Sequence, residues 1–388
     1  MKIMIKNALI KSMEQTDFIG DILLDSGKIV DMGEHLTVEA DTTVIDGTGC
    51  LLTPGLIDGH CHTGILEEGI GKEGNDVNEV GNPVAPQQRA IDAINPLAPE
   101  FHEALEGGVT LAMIGPGSLN VIGGQFALLK TTGKCVDKMV VKAPAAMKIA
   151  FGENPKGWYG AKGQNPSTRM GIASILRETL FEARYYYDQK INGSLKKPDF
   201  KMEALMPVFE EKIPLKAHVH QADDILTAVR IAKEYNLEMT LDHCTEGHLI
   251  AEEIAESGYP VFLGPTFGGK IKYELRNTSF STAKILYEAG INFGIVTDAY
   301  VIPLKHLSLC AALAVGAGLP EDVAWRAITL TPAEILGVSD KCGSLKIGKD
   351  ADVVLFSGNP LRETTARAVL TIVNGIPAFS DGTVWPEI

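Results

Sequence analysis

Thr53-Pro-Gly-Leu-Ile-Asp-Gly-His60-Cys-His62 is the stretch on which the reading of this chain turns. The apolar run that leads into it, Cys50-Leu-Leu-Thr-Pro-Gly-Leu-Ile, reads as a buried strand. Residues i and i+2 of a strand point to the same side, so His60 and His62 can grip one ion from a single strand end. Two imidazoles are half of a tetrahedral site for a divalent metal, zinc first among the candidates. Two histidines two apart are common by chance. The position after a strand and a Pro-Gly turn is what gives this pair weight.

Outward from the pair, apolar strand-like runs alternate with amphipathic helices. Strand candidates end near Asp58, Met113, Gln125, Ile149, His218, His243, Gly264 and Asp298. Helices are expected over Pro86–Gly107, Thr168–Gln189, Pro198–Lys212 and Asp223–Tyr235, among others. Alternating βα units imply a parallel sheet, and eight of them over residues 54–344 predict an α/β fold of the (β/α)8 TIM-barrel type. The stretch between Lys148 and Pro214 is long for its place and is expected to hold an extra, lid-like element. Both ends of the chain are β-rich, with Asn374-Gly375 as a hairpin signal. They predict one small β-sandwich domain, 1–53 with 345–388, flanking the barrel.

The 388 residues are 45% hydrophobic and 22% charged, the profile of a globular protein. A formal charge of −14 argues against nucleic acid or an anionic membrane as partner. The six cysteines show no CxxC spacing and form no disulfide scaffold. Cys61 and Cys244, each beside a histidine, are expected to face away into the core. The opening apolar run is too short for a signal peptide, and no run approaches the ~18 apolar residues of a membrane span. A reducing cytoplasm, a small-molecule substrate and a homo-oligomer, by base rate an isologous dimer, are therefore expected.

Catalytic groups of such barrels sit at the C-terminal ends of strands, and here those ends carry a coherent set. Ala145-Ala-Met-Lys148-Ile-Ala-Phe-Gly-Glu153 holds a lysine inside an apolar run. A buried unpaired ammonium is costly. A neutral Lys148 can take up CO2 as a carbamate, an anionic ligand able to bridge two metals. The rival readings are a lysine head that reaches solvent and Glu153 as the carboxylate ligand. Leu215-Lys-Ala-His218-Val-His220 gives a second histidine pair, with His218 as ligand and His220 as the group that holds a substrate carbonyl. Met239-Thr-Leu-Asp-His243 adds a further ligand. Asp298 ends the last strand, where a ligand can also take a proton from metal-activated water; a plain helix N-cap is the alternative. His35, His102, His248 and His306 lack this context and are read as structural.

These residues resemble the amidohydrolase superfamily. The likeness runs from Pro54-Gly-Leu-Ile-Asp-Gly-His60-Cys-His62, through Ala327-Ile-Thr-Leu-Thr-Pro-Ala-Glu-Ile-Leu-Gly, to Gly343-Ser-Leu-Lys-Ile-Gly-Lys-Asp-Ala-Asp-Val-Val-Leu. It is most similar to the imidazolonepropionase-related hydrolases, which include metal-dependent dipeptidases. The resemblance implies His60, His62, His218, His243 and Asp298 as ligands of one or two divalent ions, with Lys148 carboxylated. It implies hydrolysis of a C–N bond in a cyclic amide or small peptide-like compound. Two other readings stand beside it: a single-metal deaminase of an aminated ring, and an inactive amidohydrolase-like scaffold. A deaminase would place a glutamate soon after the fifth-strand histidine, and Val219-His220-Gln-Ala-Asp-Asp has none. Asn120, Gln125, Lys156, Tyr159, Arg169, Thr266 and Tyr300 are substrate-binding candidates. Arg169 or Lys156 suits a substrate carboxylate.

Overall fold

The computed structural model describes residues 1–67 and 71–388. Five strands come first: β1 (Lys2–Ile10), β2 (Phe18–Asp25), β3 (Lys28–Gly33), β4 (Thr43–Asp46) and β5 (Leu51–Pro54). Eight follow: β6 (Leu56–Cys61), β7 (Val109–Ile114), β8 (Ile122–Lys130), β9 (Val140–Ala150), β10 (Leu215–Val219), β11 (Met239–His243), β12 (Val261–Leu263) and β13 (Phe293–Ile295). The chain closes with β14 (Val353–Phe356), β15 (Ala368–Val373) and β16 (Ile376–Ser380). The helices that matter for the site are α1 (Pro99–Glu106), α2 (Val136–Met139), α3 (Glu153–Gly160), α4 (Arg169–Ile191), α5 (Phe200–Phe209), α6 (Ala222–Tyr235), α7 (Ala251–Ser257) and α8 (Thr282–Glu288).

β6 to β13 pair in sequence order into one sheet that nearly closes as a TIM-like barrel. Most neighbours are parallel, and these strands are buried along their whole length, as parallel strands covered on both faces must be. β8 departs from expectation: it runs antiparallel to both β7 and β9. The reason lies in the connections. A parallel crossover needs about a dozen residues or more, and residues 115–121 and 131–139 are too few. The third unit is thus a meander in place of a βα repeat, and Gln125 lies within β8, not at a strand end. The helix expected over Pro86–Gly107 is likewise smaller, a single 3-10 turn (Ala90–Asp92) and then α1.

The seam between β13 and β6 is bridged by a side chain. Asp58 accepts hydrogen bonds from the Thr297 N–H (2.9 Å), the Thr297 hydroxyl (2.6 Å) and the His60 N–H (2.9 Å). Gly59 is needed beside it, because a Cβ there would lie 2.0 Å from the Phe262 ring. The terminal strands form a second sheet, ordered β16-β15-β14-β5-β1-β2-β3 with β4 on β1. Its two halves join where β5 pairs antiparallel with β14, Thr53 opposite Val354. Ile3, Ile5, Ile22, Leu24, Val353 and Leu355 share a core of their own there. No helix among the described residues is long and apolar enough to cross a membrane.

Candidate metal centre

Five histidines and one aspartate converge where the barrel strands end. His60 and His62 come from β6, His218 and His220 from β10, His243 from β11, and Asp298 follows β13. All five imidazoles are 4% exposed or less. Strand alternation aligns each pair as expected, and Cys61 and Cys244 are buried in the core as expected.

Every ring is anchored through Nδ1. His60 Nδ1 donates to the Asp242 carboxylate (2.7 Å), His62 Nδ1 to the Gly115 carbonyl (2.7 Å) and His243 Nδ1 to the Gly264 carbonyl (2.7 Å). A carbonyl only accepts, so in His62 and His243 the proton sits on Nδ1 and Nε2 carries a lone pair. His218 and His220 share their Nδ1 hydrogen bonds with the hydroxyls of Ser118 (2.9 Å) and Thr245 (2.7 Å). Burial holds His60, His218 and His243 well below the ordinary imidazole value and brings His220 down to about 3. The four are neutral donors of lone pairs, the form a metal takes.

The Nε2 atoms face the centre. Asp298 Oδ1 stands 3.5 Å from His60 Nε2 and 3.3 Å from His62 Nε2. Two donors about 2.0–2.2 Å from one tetrahedral ion lie about 3.4 Å apart, so Asp298 Oδ1 stands at the spacing of a shared cation from each of these two Nε2 atoms. His243 Nε2 is buried without a hydrogen-bond partner, a costly state that an ion would relieve. His218, His220 and His243, and likewise His60, His243 and Asp298, bring ligand atoms within 4.8 Å of one another. The residues therefore fit a divalent metal. His243 and Asp298 adopt φ of +73° and +53°, strain of the kind that a functional site holds in place. Burial alone would raise the Asp298 carboxyl. His243, His62 and Lys148 outweigh it and hold the group well below the usual carboxylate range.

Lys148 is fully buried on β9, with Nζ 3.4 Å from His60 Nε2. Burial lowers it to about 8, against the pull of Asp242 and Asp298. Glu153, its rival, starts α3 and is engaged with Glu274: its N–H donates to the Glu274 carboxylate (3.0 Å) and its carboxylate accepts from the Glu274 N–H (3.4 Å).

The substrate-binding candidates fare unequally. Gln125 donates to the Ala204 carbonyl (3.3 Å). Asn120 is spent on the Glu79 and Asn82 carbonyls. Arg169 is tied to Asp224 (3.1 Å) and Asp223 (3.5 Å) on α6, in a cavity of about 840 Å³ lined by α4 and α6 side chains rather than by the histidines. Lys156 is exposed on α3, and Tyr159 is buried there with an unpartnered hydroxyl. Tyr300 lies near the centre, its ring centroid 6.1 Å from that of His62.

Three residues of the site escaped the sequence reading. Asp242 orients His60 and also accepts from Lys216 Nζ (3.0 Å) and the Thr240 hydroxyl (3.0 Å), all buried. Asp58 ties His60 to the seam. Glu274, 1% exposed, comes in from the loop between β12 and α8. A signal for Asp242 existed: Lys216, inside an apolar run, needs a buried carboxylate as much as Lys148 needs an explanation.

With this geometry in view, the comparisons decide the family. A crystal structure of an amidohydrolase from Thermotoga maritima MSB8 matches with a TM-score of 0.94 and 38% identity, over 97% of this chain and 100% of that one. The chain belongs to the amidohydrolase superfamily. An amidohydrolase family model matches residues 197–382. Amidohydrolase tasK of Hapsidospora irregularis is 29% identical over 95% of this chain, which spans only 40% of that protein's length. The imidazolonepropionase of Colwellia psychrerythraea is 27% identical over 88% of this chain and 85% of its own. This amidohydrolase is accordingly an imidazolonepropionase-related member, a hydrolase acting on C–N bonds.

Proposed function

We propose that this amidohydrolase cleaves the C–N bond of a cyclic amide or small peptide-like substrate at a centre of one or two divalent ions, zinc first among them. His60, His62, His218, His243, Asp298 and a carboxylated Lys148 hold them. The observation that carries the reading is the buried, partnerless Nε2 of His243 in a cluster whose every Nδ1 is anchored. When bound, such ions lower the pKa of coordinated water to about 7 and polarise a carbonyl.

This chain's residues supply the rest. The Asp298 carboxylate accepts the proton of the attacking water and passes it to the leaving nitrogen. His220, beside His218 and His243, steadies the substrate oxygen. Burial brings Lys148 down to about 8, so a fraction of it is the neutral amine that CO2 requires. Its Nζ reaches within 3.4 Å of His60 Nε2 while the Glu153 carboxylate accepts from the Glu274 N–H, which supports the carbamate over the carboxylate. Of the substrate-binding candidates, Tyr159 on α3 keeps a buried hydroxyl with no hydrogen-bond partner for the substrate side, whereas Arg169 and Gln125 are bound to Asp224 and the Ala204 carbonyl. The same reading takes the terminal sheet as a β-sandwich domain (1–53 and 345–388) against a catalytic barrel (54–344). It places the enzyme in the cytoplasm as a homo-oligomer.

The test is elemental analysis of protein purified with bicarbonate and without chelator, followed by turnover of cyclic amides and dipeptides. Two ions per chain support the carbamate-bridged centre. One ion directs the screen to ring imidazolones and ammonia release, the products of the deaminase alternative included. No bound ion sinks the proposal and leaves the scaffold reading.

A further inference from the structure

The loop between β12 and α8 is pinned at several points, and one of its side chains goes inward. Lys272 Nζ donates to Asn154 (3.2 Å), Arg276 to Gln221 (2.8 Å) and Asn277 to Glu246 (2.8 Å). Between them Glu274 reaches the histidines. Its Oε2 accepts the Glu153 N–H (3.0 Å); its Oε1 accepts from Lys272 Nζ (2.8 Å). The same Oε1 stands 3.8 Å from His218 Nε2 and 3.7 Å from His220 Nε2. The seat of this carboxylate is Gly152, at φ +78°, where a Cβ would meet Glu274 Oε2 at 2.6 Å and Asp224 Oδ2 at 3.2 Å. A glycine in the left-handed region just before α3 both makes the turn and leaves the room. The chain therefore commits two elements, a loop and a strand–helix turn, to bringing a buried carboxylate to the second histidine pair, and no step above uses it.

We propose that Glu274 is a positioning residue of the metal centre, which orients His218 and His220 and favours a cation at their Nε2 edges. This rests on the metal reading of the cluster. At 3.7–3.8 Å the carboxylate is beyond hydrogen-bond range. Its buried charge still acts over that distance, shared with the Lys272 ammonium that donates to the same Oε1 (2.8 Å). Glu274 stands to the second pair as Asp298 stands to the first, but it arrives on a loop.

The test compares metal affinity, by competition with a chromogenic chelator, in the parent and in Glu274→Gln, Gly152→Ala, Glu274→Asp and Arg276→Ala. Glu274→Gln removes the charge, and Gly152→Ala crowds the carboxylate out of its seat. Both are expected to bind zinc about 10- to 100-fold more weakly, as loss of an outer carboxylate does at other metal sites, with Glu274→Asp recovering part of the loss. Arg276→Ala loosens the same loop and is expected to keep parent affinity. Thermal unfolding of the metal-free proteins checks that each folds. Parent-like affinity in folded Glu274→Gln or Gly152→Ala would reduce Glu274 to a loop brace and overturn the proposal. A parent that holds no zinc overturns the metal reading itself.

Discussion

The two His-x-His pairs share a spacing and differ in surroundings. Both sit at barrel strand ends with their rings turned to one centre. On β6 the charged anchor is behind the pair: Asp242 grips His60 Nδ1 and is itself held by Lys216. On β10 the hydroxyls of Ser118 and Thr245 stand behind. The facing carboxylates differ too, Asp298 from a strand end against Glu274 from a loop. Spacing sets the direction of a side chain; what holds it there is decided by neighbours far away in sequence.

Four measurements sharpen or break this contrast. The largest effect is expected at Asp298, whose Asn variant should lose about 10²- to 10⁴-fold in turnover, the usual weight of a proton-transfer group, while elemental analysis still finds metal. Unchanged turnover would remove the proton role and with it the asymmetry between the facing carboxylates. Next comes Asp242→Ala, which strands Lys216 as a buried unpaired charge. It should cost about 3–5 kcal/mol in urea unfolding, well beyond Thr245→Val. Equal losses would mean that the charged anchor adds nothing over a hydroxyl. Third, Ser118→Ala and Thr245→Val should each weaken metal binding by about 10-fold, the low end for outer partners of ligating histidines; a change confined to stability would show that these hydroxyls only pack.

The last measurement reads a pH dependence carried by Asp58, beneath the first pair. Burial lifts Asp58 to about 6, over three hydrogen bonds that lower it. A carboxyl raised on folding stabilises below its unfolded value of about 3.9, and that contribution fades as pH climbs through the folded value. Asp58→Asn should therefore flatten the fall in stability between pH 4 and pH 7 by about 2–3 kcal/mol relative to the parent, read from urea midpoints. Parallel profiles in the two proteins would show that Asp58 is ionised throughout.

Much of the fold and the six convergent residues were legible because they obey local rules. Period-two alternation aimed His60 with His62 and His218 with His220, and apolar runs ended at His243 and Asp298. Lys148 announced itself as a charge in an apolar strand. The misses are non-local. β8 looked like one more parallel strand, since composition does not encode direction and only the short flanking connections betray it. Asp242 was passed over because its task lies with a histidine 182 positions earlier. Glu274 carries no periodic signal at all: it lies in a loop, and its meaning comes from Gly152, whose contribution is the absence of a side chain. Arg169 and Gln125 were plausible by type, and their nearest partners, Asp224 and the Ala204 carbonyl, could not be seen from sequence.

The clasp of β5 against β14 has a consequence for synthesis. β5 runs within two residues of β6, which carries His60 and His62, and its outer edge is covered by a strand made some three hundred residues later. On the ribosome that edge waits open while the whole barrel emerges. The first histidines of the metal centre to leave the tunnel are thus among the last to be locked in place, and metal capture belongs to the final stage of the chain's assembly rather than to its beginning.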